Sequence, residues 1–254
     1  MFYVHLHLIF CKEWWHWQYL YTLIDCMKNE QCDLSTCFLC RHCIAEWKEV
    51  IAIKKTTLRF KKGEKLFAEG EKVKGIYLLY TGAVKVHKQW VEGKELIIRF
   101  TRPGDILGHR GLVAGDVYPV SATALEDSKA CFVPSSFLES TLKADQAFTH
   151  TLMQFYAAEL QKAELRMRNL ALMEVKERVA DALLELQACY GTVKNKYIRV
   201  PVTRQDIAAY AGTTYETVFK FLKTLVHAKI IQVSGKSICI NKPEKLQELV
   251  KNAK

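Results

Sequence analysis

The stretch CDLSTCFLCRHC, residues 32 to 43, carries Cys32, Cys37, Cys40 and Cys43. Thiolates this closely spaced can hold an iron-sulfur cluster, close an all-sulfur zinc site, or act as a metal-free thiol switch. A disulfide framework is not called for, because a chain of 254 residues that is 50% hydrophobic is long enough to bury a core in one or two domains. The cysteine total of nine is odd, and the opening MFYVHLHLIF has no Lys or Arg before Lys12, unlike the charged start of a secretory signal. No apolar run approaches the roughly 20 residues of a membrane span. The expectation is a cytoplasmic protein without membrane partners, in a reducing compartment where clustered cysteines bind metal rather than pair. Cys189 and Cys239 sit in apolar patterns and are expected to be small buried hydrophobes, while Cys11 and Cys26 fall in residues 1 to 26, an aromatic-rich extension without a clean period.

The second chemistry-bearing stretch is VPVTRQDIAAYAGTTYETVFKFLKTLVHAKIIQVSGKSICI. Thr203 with Asp206 three residues on has the form of a capping box, and Ile207, Ala208 and Ala211 give the helix it opens an apolar side. Gly212 supplies a left-handed turn. A second helix starts at Thr213 or Thr214, with Val218, Phe221, Leu222 and Leu225 spaced for a core. Two short strands around Gly235 and Lys236 complete a wing, so the spacing predicts a winged helix-turn-helix. Tyr215, Glu216, Thr217, Phe219 and Lys220 then occupy the turns that face base edges, and Thr203, Arg204 and Lys236 lie where phosphates pass. A carboxylate can accept from cytosine, a lysine can donate to guanine, and a phenyl ring can touch a thymine methyl or simply pack. Were Thr213 the cap, Glu216 would serve the helix end; with Thr214 as cap it is available to a base.

Charge agrees with that assignment. The net charge is +10, and residues 203 to 254 hold nine Lys or Arg against four Asp or Glu, half of that surplus in the last fifth of the chain. A catalytic constellation does not emerge: SGKS at 234 to 237 has Ile230 where a phosphate loop needs glycine, and His109 beside Arg110 fits a loop pair. No enzymatic activity is expected.

The elements that must position these residues follow the hydrophobic period. Ile44, Trp47, Val50 and Ile51 suggest a short helix closing the cysteine segment, residues 27 to 57. Residues 58 to 143 break into short strands punctuated by glycine, with Leu96, Ile98 and Phe100 on one side of a strand, which predicts a β-roll. Residues 144 to 172 carry Met153, Tyr156, Leu160, Ala163, Met167 and Leu170 in steps of three and four, the spacing of a dimerisation seam. Residues 173 to 254 form the DNA-binding domain, opening with a helix that Gly191 ends. The fold class is α+β.

Taken in order, FKKGEKLFAEGE, GIYLLYTGAVKV, PGDILGHRGL, a long helix and VTRQDIAAYAG followed by YETVFKFLKTL resemble the Crp/Fnr superfamily of transcription regulators over residues 32 to 250. The resemblance implies a cyclic-nucleotide-binding-like sensory roll, a homodimer, a near-palindromic DNA operator and RNA polymerase as a partner. In the cyclic-nucleotide branch a glutamate meets the ribose and an Arg-Ser pair meets the phosphate; here those positions fall at His109 and at Tyr118 and Pro119. Tyrosine and proline cannot replace that pair, so cAMP is not expected. The oxygen-sensing branch instead carries N-terminal cysteines and one more in the roll, and ALEDSKACFVP puts Cys131 at that position. A [4Fe-4S] cluster on Cys37, Cys40, Cys43 and Cys131, with Cys32 as an alternate, is what the resemblance implies. The spacing C-x4-C-x2-C-x2-C departs from the family's C-x2-C-x5-C, and the alternatives are zinc on the four early cysteines or a metal-free thiol switch in the same DNA-binding regulator, with an iron-sulfur enzyme or electron carrier as the remote one.

Overall fold

A computed structural model describes residues 37–112, 116–193, 196–200 and 202–251, without the side chains of Glu92 and Lys251. Residues 1 to 26 and Cys32 lie outside the described residues. The order begins with α1 (Phe38–His42), α2 (Ala45–Lys54), β1 (Thr56–Phe60), β2 (Lys65–Phe67), β3 (Gly75–Thr81), β4 (Val84–Gln89), β5 (Glu95–Thr101), β6 (Ile106–Leu107), β7 (Ser121–Ala124) and β8 (Ser128–Pro134). It continues with α3 (Ser135–Ala144), α4 (Gln146–Leu172), α5 (Val175–Tyr190), α6 (Arg204–Ala211), α7 (Tyr215–His227), β9 (Ile231–Ser234), β10 (Ser237–Ile240) and α8 (Pro243–Lys251).

Strands β1 to β8 form two four-stranded antiparallel sheets, ordered β1-β8-β3-β6 and β2-β7-β4-β5. Phe67, Tyr77, Leu79, Leu107, Tyr118, Val120 and Ala130 fill the space between them. Gly75 is obligatory at the start of β3, since a Cβ there would come within 2.1 Å of the Val133 carbonyl oxygen across the ladder. The expected alternation of Leu96, Ile98 and Phe100 does not hold. In the β4–β5 ladder Val86 pairs with Arg99 and His87 with Ile97, so Ile98 is an extra residue and the facing of β5 shifts. Ile97 and Phe100 turn to one shared core, Ile98 packs on the roll core, and Leu96 is exposed. Strand character also ends earlier than residue 143. Pro134 caps α3, whose Leu138 and Thr141 are buried, an amphipathic helix too short to stand out in the pattern.

Helix α4 runs for 27 residues from an Asp145 cap, and the Asp145 carboxylate takes both the Phe148 and the Ile44 backbone N–H, each at 2.8 Å. One buried carboxylate thus ties the chain just after Cys43 to the start of the long helix. Trp47 adds to this, stacking on Phe137 and donating Nε1–H to the Thr141 hydroxyl at 2.8 Å. The C-terminal domain shares its core with the roll: Ala83, Ile97, Phe100 and Leu125 pack with Leu183, Ile207, Tyr210 and Leu222.

Candidate nucleic-acid interface and cysteine site

Helix α6 opens as the residues predict. Thr203 Oγ1 accepts from the Asp206 N–H at 3.0 Å while Asp206 Oδ2 accepts from the Thr203 N–H at 3.0 Å. Gly212 then adopts φ 61, the left-handed conformation that lets α7 cross α6 at once. The cap of α7 is Thr214, whose side chain accepts from the Thr217 N–H at 3.3 Å. Glu216 is therefore not needed to close the helix end, and its side chain is exposed. Val218, Phe221, Leu222 and Leu225 hold the opposite face in the core, leaving Tyr215, Glu216 and Lys220 outward. Tyr215 stacks on Phe219 at 6.0 Å, and the charges of Lys223 and Arg204 lie 4.5 and 5.7 Å from the Phe219 ring centre.

Strands β9 and β10 pair in register around Gly235 and Lys236. Between this wing and the starts of α6 and α7 lies a cleft of about 170 Å³ lined by Thr203, Arg204, Gln205, Tyr215, Gly235 and Lys236. Four of the residues singled out from sequence, scattered over 34 positions, thus border one cleft with two cationic side chains among its lining.

The α4 seam faces outward. Met153, Leu160 and Met167, seven residues apart, are 65%, 61% and 64% exposed, and Ala163 is exposed beside them. Tyr156 and Leu170 are half-buried against their own chain, so part of the seam also serves the fold.

In the roll's inner cleft, lined by His109, Tyr118 and Pro119, which the resemblance sets at the nucleotide-contact positions, the space is occupied by the protein. Tyr118 stacks on Phe67 with centroids 4.2 Å apart, donates its O–H to the Gly75 carbonyl at 2.8 Å, and accepts from the Lys74 and Gly75 N–H groups. About 10 Å³ remains, room for one water against the several hundred Å³ of a small-molecule site. His109 and Arg110 are more than a loop pair. They form a short 3-10 turn against α4, where Glu159 meets Arg99 at 3.1 Å, Lys162 at 3.3 Å and Arg110 at 3.6 Å. Burial works to raise the Glu159 carboxyl, but the charges of Arg99 and Lys162 outweigh it and hold it below the usual carboxylate range. The His109 ring is 2% exposed and burial pulls its pKa down to about 3, so it is neutral at any ordinary pH. This ion cluster was not legible in sequence, because its members are separated by up to 63 residues and none forms a motif.

Cys37 and Cys43 cap the two ends of α1, Cys40 lies within it, and all three are buried; the Cys43 thiol donates to the Cys40 carbonyl at 3.8 Å. Burial pushes the Cys43 thiol up, the opposite of what a reactive thiolate needs. Cys131 lies on β8 opposite Thr57 and Leu78, and strand alternation turns it away from Ala130 and the roll core, toward the face on which α3 packs. Among the described residues no three Cys, His, Asp or Glu side chains stand together as a metal-holding group. The donor chemistry suits a soft metal centre, but the described arrangement does not gather the four thiols around one. Cys189 is half-buried, its thiol pushed up to about 12 by burial, and Cys239 is buried.

A cyclic-nucleotide-type roll, a long seam helix and a winged helix-turn-helix define a DNA-binding transcription regulator rather than an enzyme. Residues 57–145 match the cyclic nucleotide-binding domain and residues 177–249 the Crp-like helix-turn-helix domain. Among solved structures, FixK2 from Bradyrhizobium japonicum is 31% identical with a TM-score of 0.69, over 77% of this chain and 96% of that one. The chain belongs to the Crp/Fnr family. The fumarate and nitrate reduction regulatory protein of Yersinia pestis is 28% identical over 91% of this chain and 90% of its own. A CRP-like cAMP-activated global transcriptional regulator of Mycobacterium tuberculosis is 29% identical over 74% of this chain and 84% of its own. The anaerobic regulatory protein of Pasteurella multocida is 29% identical over 74% and 69%. Among the described residues no helix is long and apolar enough to cross a membrane.

Proposed function

We propose that the protein is a homodimeric, sequence-specific regulator of transcription whose signal is received by its N-terminal cysteines and not by a cyclic nucleotide. The observation that carries this is the inner cleft of the roll. Tyr118 fills it with an aromatic ring held by three hydrogen bonds, and the residues at the ribose and phosphate positions lack the required groups. The cysteine segment, by contrast, is coupled to α4 through Asp145, the natural route by which an event at those thiols would reach the seam. The similarity to regulators named for fumarate and nitrate reduction and for anaerobic regulation supports the same assignment.

Within this reading Cys37, Cys40, Cys43 and Cys131 are the residues that would hold a [4Fe-4S] cluster, with Cys32 as the alternate; such a cluster supplies an oxygen-labile centre. The chain's own part is mechanical: α1 bears on α4 and α2 on α3, α4 presents Met153, Leu160 and Met167 to a second copy, and the dimer sets two α7 helices about one DNA turn apart. Glu216 and Lys220 read base edges, Phe219 contacts a thymine methyl, and Thr203, Arg204 and Lys236 hold phosphates.

The test is full-length protein purified without oxygen. The expected result is a brown preparation containing iron and labile sulfide that binds its operator more tightly than after exposure to air. Zinc without sulfide, or an affinity indifferent to air, overturns the sensing part of the proposal. Titration with cAMP is expected to leave operator affinity unchanged, and a cAMP-dependent gain overturns the remainder.

A further inference from the structure

We infer that Phe155 is the positioning residue through which the cysteine-bearing turn sets the seat of the dimerisation helix, by an aromatic train that runs from Phe38 to His109. Phe38 is the first residue of α1, between Cys37 and Cys40. Its ring lies 5.0 Å from Phe155 and 6.1 Å from Phe148, both on α4. Phe155 in turn meets the His109 ring edge-on at 5.1 Å, and its neighbour Tyr156 does the same at 5.6 Å. The Tyr156 hydroxyl donates to the His109 carbonyl at 2.6 Å, and one turn further along α4 Glu159 is clamped by Arg99 and Arg110. Two phenyl rings and an imidazole therefore join a cysteine turn to the 3-10 turn that stands where a nucleotide-binding relative would have its ligand contacts.

The direction of each side chain matters. Phe155 is half-buried on the face of α4 that looks at α1 and the roll, while Met153 and Leu160 on either side of it in sequence are exposed for a partner. Rotation or sliding of α4 that follows a displaced Phe38 ring moves the seam residues with it, because a helix transmits such motion as a rigid rod. His109 contributes a flat, neutral surface, because burial keeps the ring uncharged. An uncharged ring packs edge-on against both neighbours without the desolvation cost of an imidazolium. This inference rests on the reading of Cys37–Cys43 as the sensing segment.

The experiment is a double-mutant cycle on the full chain. Phe38→Leu, Phe155→Leu and the pair together are compared for the dimer dissociation constant by sedimentation, alongside Phe155→Tyr and a packing control, Leu152→Val. The expected result is that each single change weakens the dimer about fivefold, the size of one lost aromatic pair. The double variant is no weaker than Phe155→Leu alone, and Phe155→Tyr restores the wild-type constant. Leu152→Val lowers thermal stability and leaves the dimer constant unchanged. Independent effects that multiply in the double variant, an unchanged constant in Phe38→Leu, a control that mimics Phe155→Leu, or a monomeric wild type overturns the inference. Iron content and the air response of the wild type are measured on the same preparations. Their failure removes the iron-sulfur reading, while the dimer cycle still decides on the train.

Discussion

Lys85 on β4 offers the sharpest quantitative test of how the roll and the DNA-binding domain hold together. Its ammonium lies 2.7 Å from Glu95 on β5 and 2.9 Å from Asp206 on α6, and the three side chains are only 10 to 21% exposed. Asp206 has a second task, since its other oxygen closes the capping box with Thr203. One lysine therefore neutralises two carboxylates at the boundary between the domains. Replacing it by methionine keeps the apolar stem and leaves Glu95 and Asp206 facing each other without a counter-charge. Removing one partner of a buried ion pair costs about 3 to 5 kcal/mol. Asp206→Asn is far milder, about 1 to 2 kcal/mol, because Lys85 keeps Glu95 and the amide oxygen can still accept from Thr203. The double variant should show a coupling of about 0.5 to 3 kcal/mol between the two positions. Urea unfolding of the full chain at one fixed protein concentration measures all three, concentration being held because the proposed dimer would add to apparent stability. A Lys85→Met variant that loses less than Asp206→Asn refutes the reasoning, since the lysine would then not be the shared neutralising charge.

At the DNA face, Glu216→Ala is expected to relax base preference at one position per half-site by about 1 to 3 kcal/mol, whereas Lys236→Ala weakens all sequences alike and lowers the salt slope by about 1 per half-site; competition binding at several salt concentrations separates them. Equal loss on every sequence for both variants would make Glu216 a bystander. Leu160→Lys places a charge in the centre of the exposed α4 stripe and is expected to shift the protein to monomer in sedimentation while its circular dichroism is retained. For pH, the Glu159 and Asp206 carboxyls are both held below their ordinary values of 4.5 and 3.8, in each case by partner contacts that outweigh burial. Their stabilising contribution is complete above those ordinary values and is lost as pH falls through the depressed ones. Denaturant midpoints should therefore respond little to these groups between pH 8 and 5 and fall below about pH 4, a fall that Glu159→Gln reduces.

The helix-turn-helix was legible because its signals are local. A capping box spans four residues, a left-handed glycine sits at the corner, and the apolar spacing of Val218, Phe221, Leu222 and Leu225 depends only on the pitch of one helix. The same holds for the heptad spacing of Met153, Leu160 and Met167. Helix α3 was missed because ten residues after a strand carry too few turns to display a period. The facing of β5 was misjudged because a bulge is a property of two strands paired together and leaves no trace in one of them.

By itself, then, the order of residues determined the helix-turn-helix with its capping box at Thr203, the apolar stripe of α4 and the basic C-terminal fifth. Only tertiary structure decided that Tyr118 fills the cleft, that Thr214 rather than Thr213 caps α7, and that Arg99, Arg110 and Glu159 meet at the flank of α4. The physical reason is range. Backbone conformation and helical period act over a few residues, whereas burial, ion pairing and ring contacts depend on which distant segments the fold brings within a few ångströms of one another.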